Sequence, residues 1–183
     1  MEMKTISKLG WKGSLGQILF LGQGKSISDL PRVAIVGIGN EFNGDDAAGV
    51  LVARKLETRE CARDALHVLV IEAGQAPENI THELRRFDPS IVILIDAAQV
   101  NAEPGDVVWI PWETTSGMSA SSHSLPLSMM ARYLTLEFDC TVHLLGIQPS
   151  QNQPDEGLSL VVREAVDDIC ETLCESLFVR LPG

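Results

Sequence analysis

The sequence has no excess of positive charge: 14 Lys and Arg stand against 25 Asp and Glu, a formal net charge of −11 over 183 residues. Phosphate backbones demand clustered Lys and Arg, so nucleic acid is excluded as a partner. No apolar run approaches the roughly 20 residues that span a bilayer. Ile18-Leu19-Phe20-Leu21 is too short for the apolar region of a signal peptide. The expectation is a soluble protein of the cytoplasm with no membrane partner. Cysteine is scarce, at four. Cys140 and His143 are spaced as Cys-x-x-His, but on an expected strand, where side chains three apart point to opposite faces and cannot share an ion. Cys170 and Cys174 can share a helix face. The thiols read as buried structural groups of a reducing compartment. The glycine-rich turn over residues 37–49 carries no Gly-Lys-Ser/Thr of a phosphate loop, and the chain has no Ser-His-Asp arrangement and no His-Glu-x-x-His helix. His67, His82 and His143 lack suitable neighbours.

What is present is an ordinary globular composition, 45% hydrophobic, enough for one core. Residues 1–31 form an N-terminal extension in which glycines break up short apolar pieces, and Gln17 to Gly22 reads at most as an edge strand or hairpin. Residues 32–183 read as a single domain. Arg32–Gly39 is expected as a buried strand, Asp45–Leu56 as a helix, Leu66–Ala73 as a strand and Pro77–Phe87 as a helix with Pro at its first turn. Ser90–Asp96 is apolar without alternation, which means burial on both faces. Only Ala97 to Gly105 separates it from Asp106–Pro111, too short for a helical crossover, so that strand should run antiparallel. A polar loop, Thr114–His123, leads to a helix near Leu125–Glu137. A strand at Thr141–Ile147 and a long helix at Gly157–Leu177 complete the chain. The sum is a three-layer α/β/α sandwich on a mixed, mostly parallel sheet of about five strands.

Chemistry concentrates at Gly37-Ile38-Gly39-Asn40-Glu41-Phe42-Asn43-Gly44-Asp45-Asp46-Ala47-Ala48-Gly49. Strand, glycine-rich turn and helix make a first β-α unit, whose turn lies at the carboxyl edge of the sheet where such folds bind ligands. Phe42 occupies the place of the third glycine of a dinucleotide fingerprint. Two carboxylates at the helix start would repel an anion, so the turn asks for a cation. Asp45 reads most simply as the helix cap; that leaves Asp46 unexplained. Asp96 ends the most apolar strand, where an ionised carboxylate needs a partner, hydrogen bonds or a metal unless it caps a loop. His123, just ahead of a helix, is the third candidate. Two carboxylates and an imidazole are a plausible three-ligand set for nickel or zinc with a position left open, although separations of 50 and 27 residues are no local motif.

The pattern Gly37-x-Gly39-Asn40-x-x-x-Gly44-Asp45-Asp46-x-x-Gly49 strongly resembles the signature of the hydrogenase maturation endopeptidases. The likeness continues through Ala76-Pro77-Glu78-Asn79, Ile95-Asp96-Ala97, Pro104-Gly105, Ser122-His123-x-Leu125-Pro126-Leu127 and Leu145-Gly146-Ile147-Gln148-Pro149, from about Arg32 to Leu177. It is closest in form to the branch serving hydrogenase 3 of formate hydrogenlyase type. The resemblance implies an endopeptidase that removes the C-terminal peptide of a nickel–iron hydrogenase large-subunit precursor after nickel insertion. It puts the metal-contacting trio, as both catalytic and metal residues, on Asp46, Asp96 and His123. Nickel would arrive on the substrate's thiolates; a resting divalent metal and the catalytic part of the ion are left open. Some relatives carry Glu at the position of Asp46, and many have Asp-Gly-Gly where this chain has Glu72-Ala73-Gly74, a loop that bears on the substrate. Two other readings stand beside it: a non-catalytic nickel-binding assembly factor, and a metallo-amidase or peptidase of another substrate. A monomer is expected.

Overall fold

The computed structural model describes residues 10–20, 30–59, 65–113, 127–151, 153–154 and 156–177. The strands are β1 (Val33–Ile38), β2 (Val68–Gly74), β3 (Ile91–Ala97), β4 (Val107–Ile110) and β5 (Thr141–Ile147). The helices are α1 (Gly10–Phe20), α2 (Ala48–Glu57), α3 (Thr81–Phe87), α4 (Leu127–Phe138) and α5 (Leu160–Leu177). The sheet has five strands in the order β2-β1-β3-β5-β4. β1 pairs in parallel with β2 and β3, and β3 with β5, while β4 runs antiparallel to β5. The reversal expected from the short link after β3 is therefore present.

The two central strands explain the layering. β1 and β3 are buried along their whole length. Side chains alternate across a strand, so Val33, Ile35, Ile91, Ile93 and Ile95 enter one core with residues of α1, α2 and α5. Ala34, Val36, Val92 and Leu94 enter the other, closed by Leu84 of α3 and by Leu127, Met130, Ala131 and Leu134 of α4. Helices on both faces of a mostly parallel sheet give the three-layer α/β/α fold. Cys140 belongs to the second core and Cys170 to the first. Neither they nor Cys174 form a disulfide. His143 meets Trp109 edge-on at 5.9 Å between ring centroids. Burial holds its imidazole down at about 4, hence neutral at pH 7. Trp109 packs against the first core, so Cys140 and His143 face opposite sides of the sheet.

The N-terminal extension differs from expectation. Gly10–Phe20 is an α-helix, where an edge strand or hairpin had been the reading from Gln17 onward. Its glycines lower helix propensity, but Leu15, Ile18 and Leu19 fall at i, i+3 and i+4 and are buried in the first core. Tertiary burial overrides propensity here. Trp109 Nε1 donates to the Trp11 carbonyl at 2.9 Å, and Lys12 pairs with Asp168 of α5. Residues 21–29 lie outside the described residues.

Other boundaries shift less. The helix expected from Asp45 opens as a 3-10 turn, Gly44–Ala47, before α2. That expected over Pro77–Phe87 is a 3-10 turn, Pro77–Ile80, followed by α3. Among the described residues no helix is long and apolar enough to cross a membrane.

Candidate active site

In an open parallel sheet the chain leaves room for a ligand where successive crossovers depart in opposite directions. Here β1 has β2 on one side and β3 on the other. The crevice at their carboxyl ends is that switch point. The turn after β1 and the last residues of β3 both lead to it.

The turn is built by close approaches that admit no Cβ. Gly39 has φ +136°, and a Cβ there would stand 1.8 Å from the Asp46 carbonyl oxygen. Gly49, on the first turn of α2, would put one 2.1 Å from the Ile95 carbonyl oxygen. Glycine lets α2 sit down on β3 and brings Asp46 alongside the end of that strand. Gly39 N–H donates to Gly74 O at 3.0 Å, which ties the turn to the end of β2. Asn40 N–H donates both to the Asp46 carbonyl at 3.1 Å and to Asp46 Oδ2 at 3.2 Å.

The two adjacent aspartates do unlike things. Asp45 is not the cap of its own helix: the N-cap is Asn43, and no side chain closes that end. Its carboxylate is fully buried and reaches across the chain. Oδ2 accepts from Ser150 N–H at 2.8 Å, Gln151 N–H at 2.9 Å and Ser159 Oγ at 2.9 Å, and Oδ1 from Ser159 N–H at 2.7 Å. Ser159 immediately precedes α5, which is why that helix starts at Leu160 and not at Gly157. Asp45 is a clasp that ties Ser150, Gln151 and Ser159, between β5 and α5, to the first β-α turn. Hydrogen bonds of this kind satisfy a buried charge without a counter-ion.

Asp46 is left facing Asp96. Burial raises the Asp46 carboxyl above its ordinary value, opposed by hydrogen bonds from Asn40 N–H and the Asn43 side chain. Asp96, on β3 opposite Gly146 of β5, is pushed up to about 7. Burial is the main cause and the Asp46 charge adds to it, while the Ala97 N–H works the other way. The result is a buried pair of carboxyl groups within each other's field. Such a pair holds a proton near neutral pH or welcomes a divalent cation, whose charge removes both the repulsion and the desolvation penalty. These donors are hard oxygens and fit a borderline ion only with a softer third ligand. Among the described residues no group of three or more His, Cys, Asp or Glu could hold a metal ion. His123, the third residue expected, lies outside the described residues.

Two supporting residues carry no chemistry-specific pattern in the sequence. Gln148, buried at the exit of β5, accepts from Val100 N–H at 2.9 Å and Ala102 N–H at 3.4 Å, and donates to Gln99 Oε1 at 2.8 Å. It thereby fixes the loop that follows Asp96. Its signal in the sequence is its place in the Leu145-Gly146-Ile147-Gln148-Pro149 stretch that carries the family likeness. Arg54 of α2 donates to Glu72 at the end of β2 (Nε to Oε2, 2.9 Å) and to Glu41 of the turn (Nη2 to Oε2, 3.0 Å). Those two carboxylates hold its guanidinium pKa above its already high ordinary value. A cavity of about 410 Å³ opens between α2 and α5, but neither Asp46 nor Asp96 lines it. Its three cations are already engaged, Lys55 with Asp167, Arg163 with the Leu158 carbonyl and Arg54 as just described.

Comparison with known proteins agrees with this fold. Residues 50–176 match the family model HycI, hydrogenase maturation protease. The hydrogenase 3 maturation protease of Escherichia coli K12 is 29% identical over 141 residues, 76% of this chain and 85% of that one. The crystal structure of a [NiFe] hydrogenase maturation protease HycI from Thermococcus kodakarensis superposes with a TM-score of 0.73 at 33% identity, covering 80% of this chain and 92% of the other. The solution structure of the endopeptidase HycI from E. coli gives 0.68 at 27% identity, covering 82% and 96%. The chain belongs to the hydrogenase maturation protease family and is a peptide hydrolase.

Proposed function

We propose that this endopeptidase removes the C-terminal peptide of a nickel–iron hydrogenase large-subunit precursor, of the hydrogenase 3 type, once nickel has been inserted. Asp46, Asp96 and His123 complete the coordination of the nickel that the precursor carries on its thiolates. The protein acts in the cytoplasm as a monomer. What carries the reading is the buried Asp46–Asp96 couple, in which burial and mutual repulsion both raise the Asp96 carboxyl. A substrate-borne cation relieves both effects, whereas a nickel-free precursor presents thiolates to carboxylates and is repelled. Docking is thereby conditional on the metal, and the bound ion positions the scissile peptide. An acid held near 7 also exchanges protons at working pH, as a general base must.

The test is mass spectrometry of a large-subunit precursor incubated with this protein, with and without nickel. Truncation is expected for the loaded form only, and is expected to disappear in Asp46→Ala and in His123→Ala while both variants stay folded. Truncation of the nickel-free precursor at the same rate, or normal cleavage by either variant, would refute the proposed recognition.

A further inference from the structure

The turn that carries Asp46 is held almost everywhere except at one side chain. Asn40 Oδ1 accepts the Phe42 N–H at 3.1 Å, closing an Asx turn. Glu41 is drawn away by Arg54. The Asn43 side chain bonds to Asp46, and Gly44 N–H donates to Glu156 O at 3.1 Å. With its neighbours engaged inside the protein, Phe42 stands 66% exposed. A large apolar side chain in water is unremarkable when it is scattered on a mobile surface. The backbone that carries this one is fixed by its own N–H, on the same few residues whose backbone binds the Asp46 carboxylate.

We infer that Phe42 is a substrate-contact residue, which takes an apolar side chain of the hydrogenase precursor next to the bond that is cut. The inference rests on the proposed function and adds to it the residue that reads the peptide as distinct from the metal. The physical reason is preorganisation: an aromatic with two side-chain torsions on a fastened backbone loses little freedom when a partner covers it, so more of the buried area appears as affinity. An apolar group is the fitting occupant, because the charged side chains of the turn are already engaged: Asp46 by Asn40 N–H and the Asn43 side chain, and Glu41 by Arg54. Covering two-thirds of a Phe side chain corresponds to a change of about 5- to 30-fold in affinity.

The experiment uses the full chain and the nickel-loaded precursor, with Phe42→Ala and Phe42→Leu, and reads kcat, KM and, by titration, the Kd for the precursor. Phe42→Ala is expected to raise KM and Kd by about 5- to 30-fold and leave kcat within about twofold, with Phe42→Leu recovering most of the loss. The melting temperature should move little, since only about a third of the residue is covered in the fold. A KM and Kd within about twofold of the unmodified protein would overturn the inference while leaving the proposed function intact. So would a fall in kcat at constant KM, which would mean that Phe42 acts through the turn. Should the unmodified protein bind the precursor without cutting it, the proposed function fails, and the Kd comparison still decides Phe42. Absence of binding by the unmodified protein would overturn both.

Discussion

Replacing Asp96 by Asn should make this protein more stable at alkaline pH and inactive at every pH. The carboxyl group rises from an ordinary 3.8 to about 7 in the fold, chiefly by burial. Between those values the folded chain holds a proton that the unfolded chain has released, so stability falls as pH rises through this window and levels off above it. About three pH units at 1.36 kcal/mol each put the full loss at about 4 kcal/mol by pH 8, and at about 2 kcal/mol at pH 5. Asn carries no charge and escapes that loss, but its amide will not find all the partners it needs, which costs about 1–3 kcal/mol. The variant is therefore expected to gain about 2 kcal/mol at pH 8, or about 4–8 °C in Tm for a chain of this size, and close to nothing at pH 5. Urea titrations of both proteins from pH 5 to pH 8, followed by far-ultraviolet circular dichroism, measure the difference directly. Activity is expected to vanish throughout, because a neutral amide neither attracts a cation strongly nor takes a proton. The reasoning fails if the variant is less stable than the parent at pH 8, or if the gap between them stays constant across the range.

Two further outcomes concern the frame around the pair. Asp45→Ala removes an acceptor for Ser150, Gln151 and Ser159 in a buried place, and should cost about 3–5 kcal/mol, read from the urea midpoint; a loss below about 1 kcal/mol would deny the clasp. Gly49→Ala forces a methyl to within 2.1 Å of the Ile95 carbonyl oxygen, and should destabilise by about 3 kcal/mol or more and lower cleavage with it, since the neighbour is backbone and cannot turn aside. A normal melting temperature for that variant would show that α2 can lift from β3 at little cost.

Where local pattern and burial agree, the sequence was legible. The unbroken apolar run of β3 betrays a strand covered on both faces, and the short link after it betrays the reversal into β4. The glycine turn with its two acids locates the site edge, because a strand followed by that turn can only arrive at the end of the sheet. What the chain hides is whatever depends on distant partners. The partners of Asp45 lie more than 100 residues away, so its own neighbourhood suggests only a cap. α1 is punctuated by glycines at positions 10, 13 and 16, and its helical state follows from a groove supplied by β4 and α5. Gln148 belongs to a stretch of the family likeness, but its bonds to the loop after Asp96 are visible only in the fold, and Arg54 resembles any helix cation until the turn it holds is in place. Phe42, by contrast, was read for the glycine it replaces, and only its exposure in a fastened turn gives it a role.

The reach of Asp45 also sets an order of events. A chain still emerging from the ribosome carries both aspartates long before it carries Ser150 and Ser159, and the core beneath α2 lacks α5 until the last stretch has been made. Until then the first β-α turn has its ties to β2 and β3 but lacks the partners that satisfy the Asp45 carboxylate. The first β-α turn is thus completed by residues from the last fifth of the chain, so its final geometry waits on closure of the whole domain.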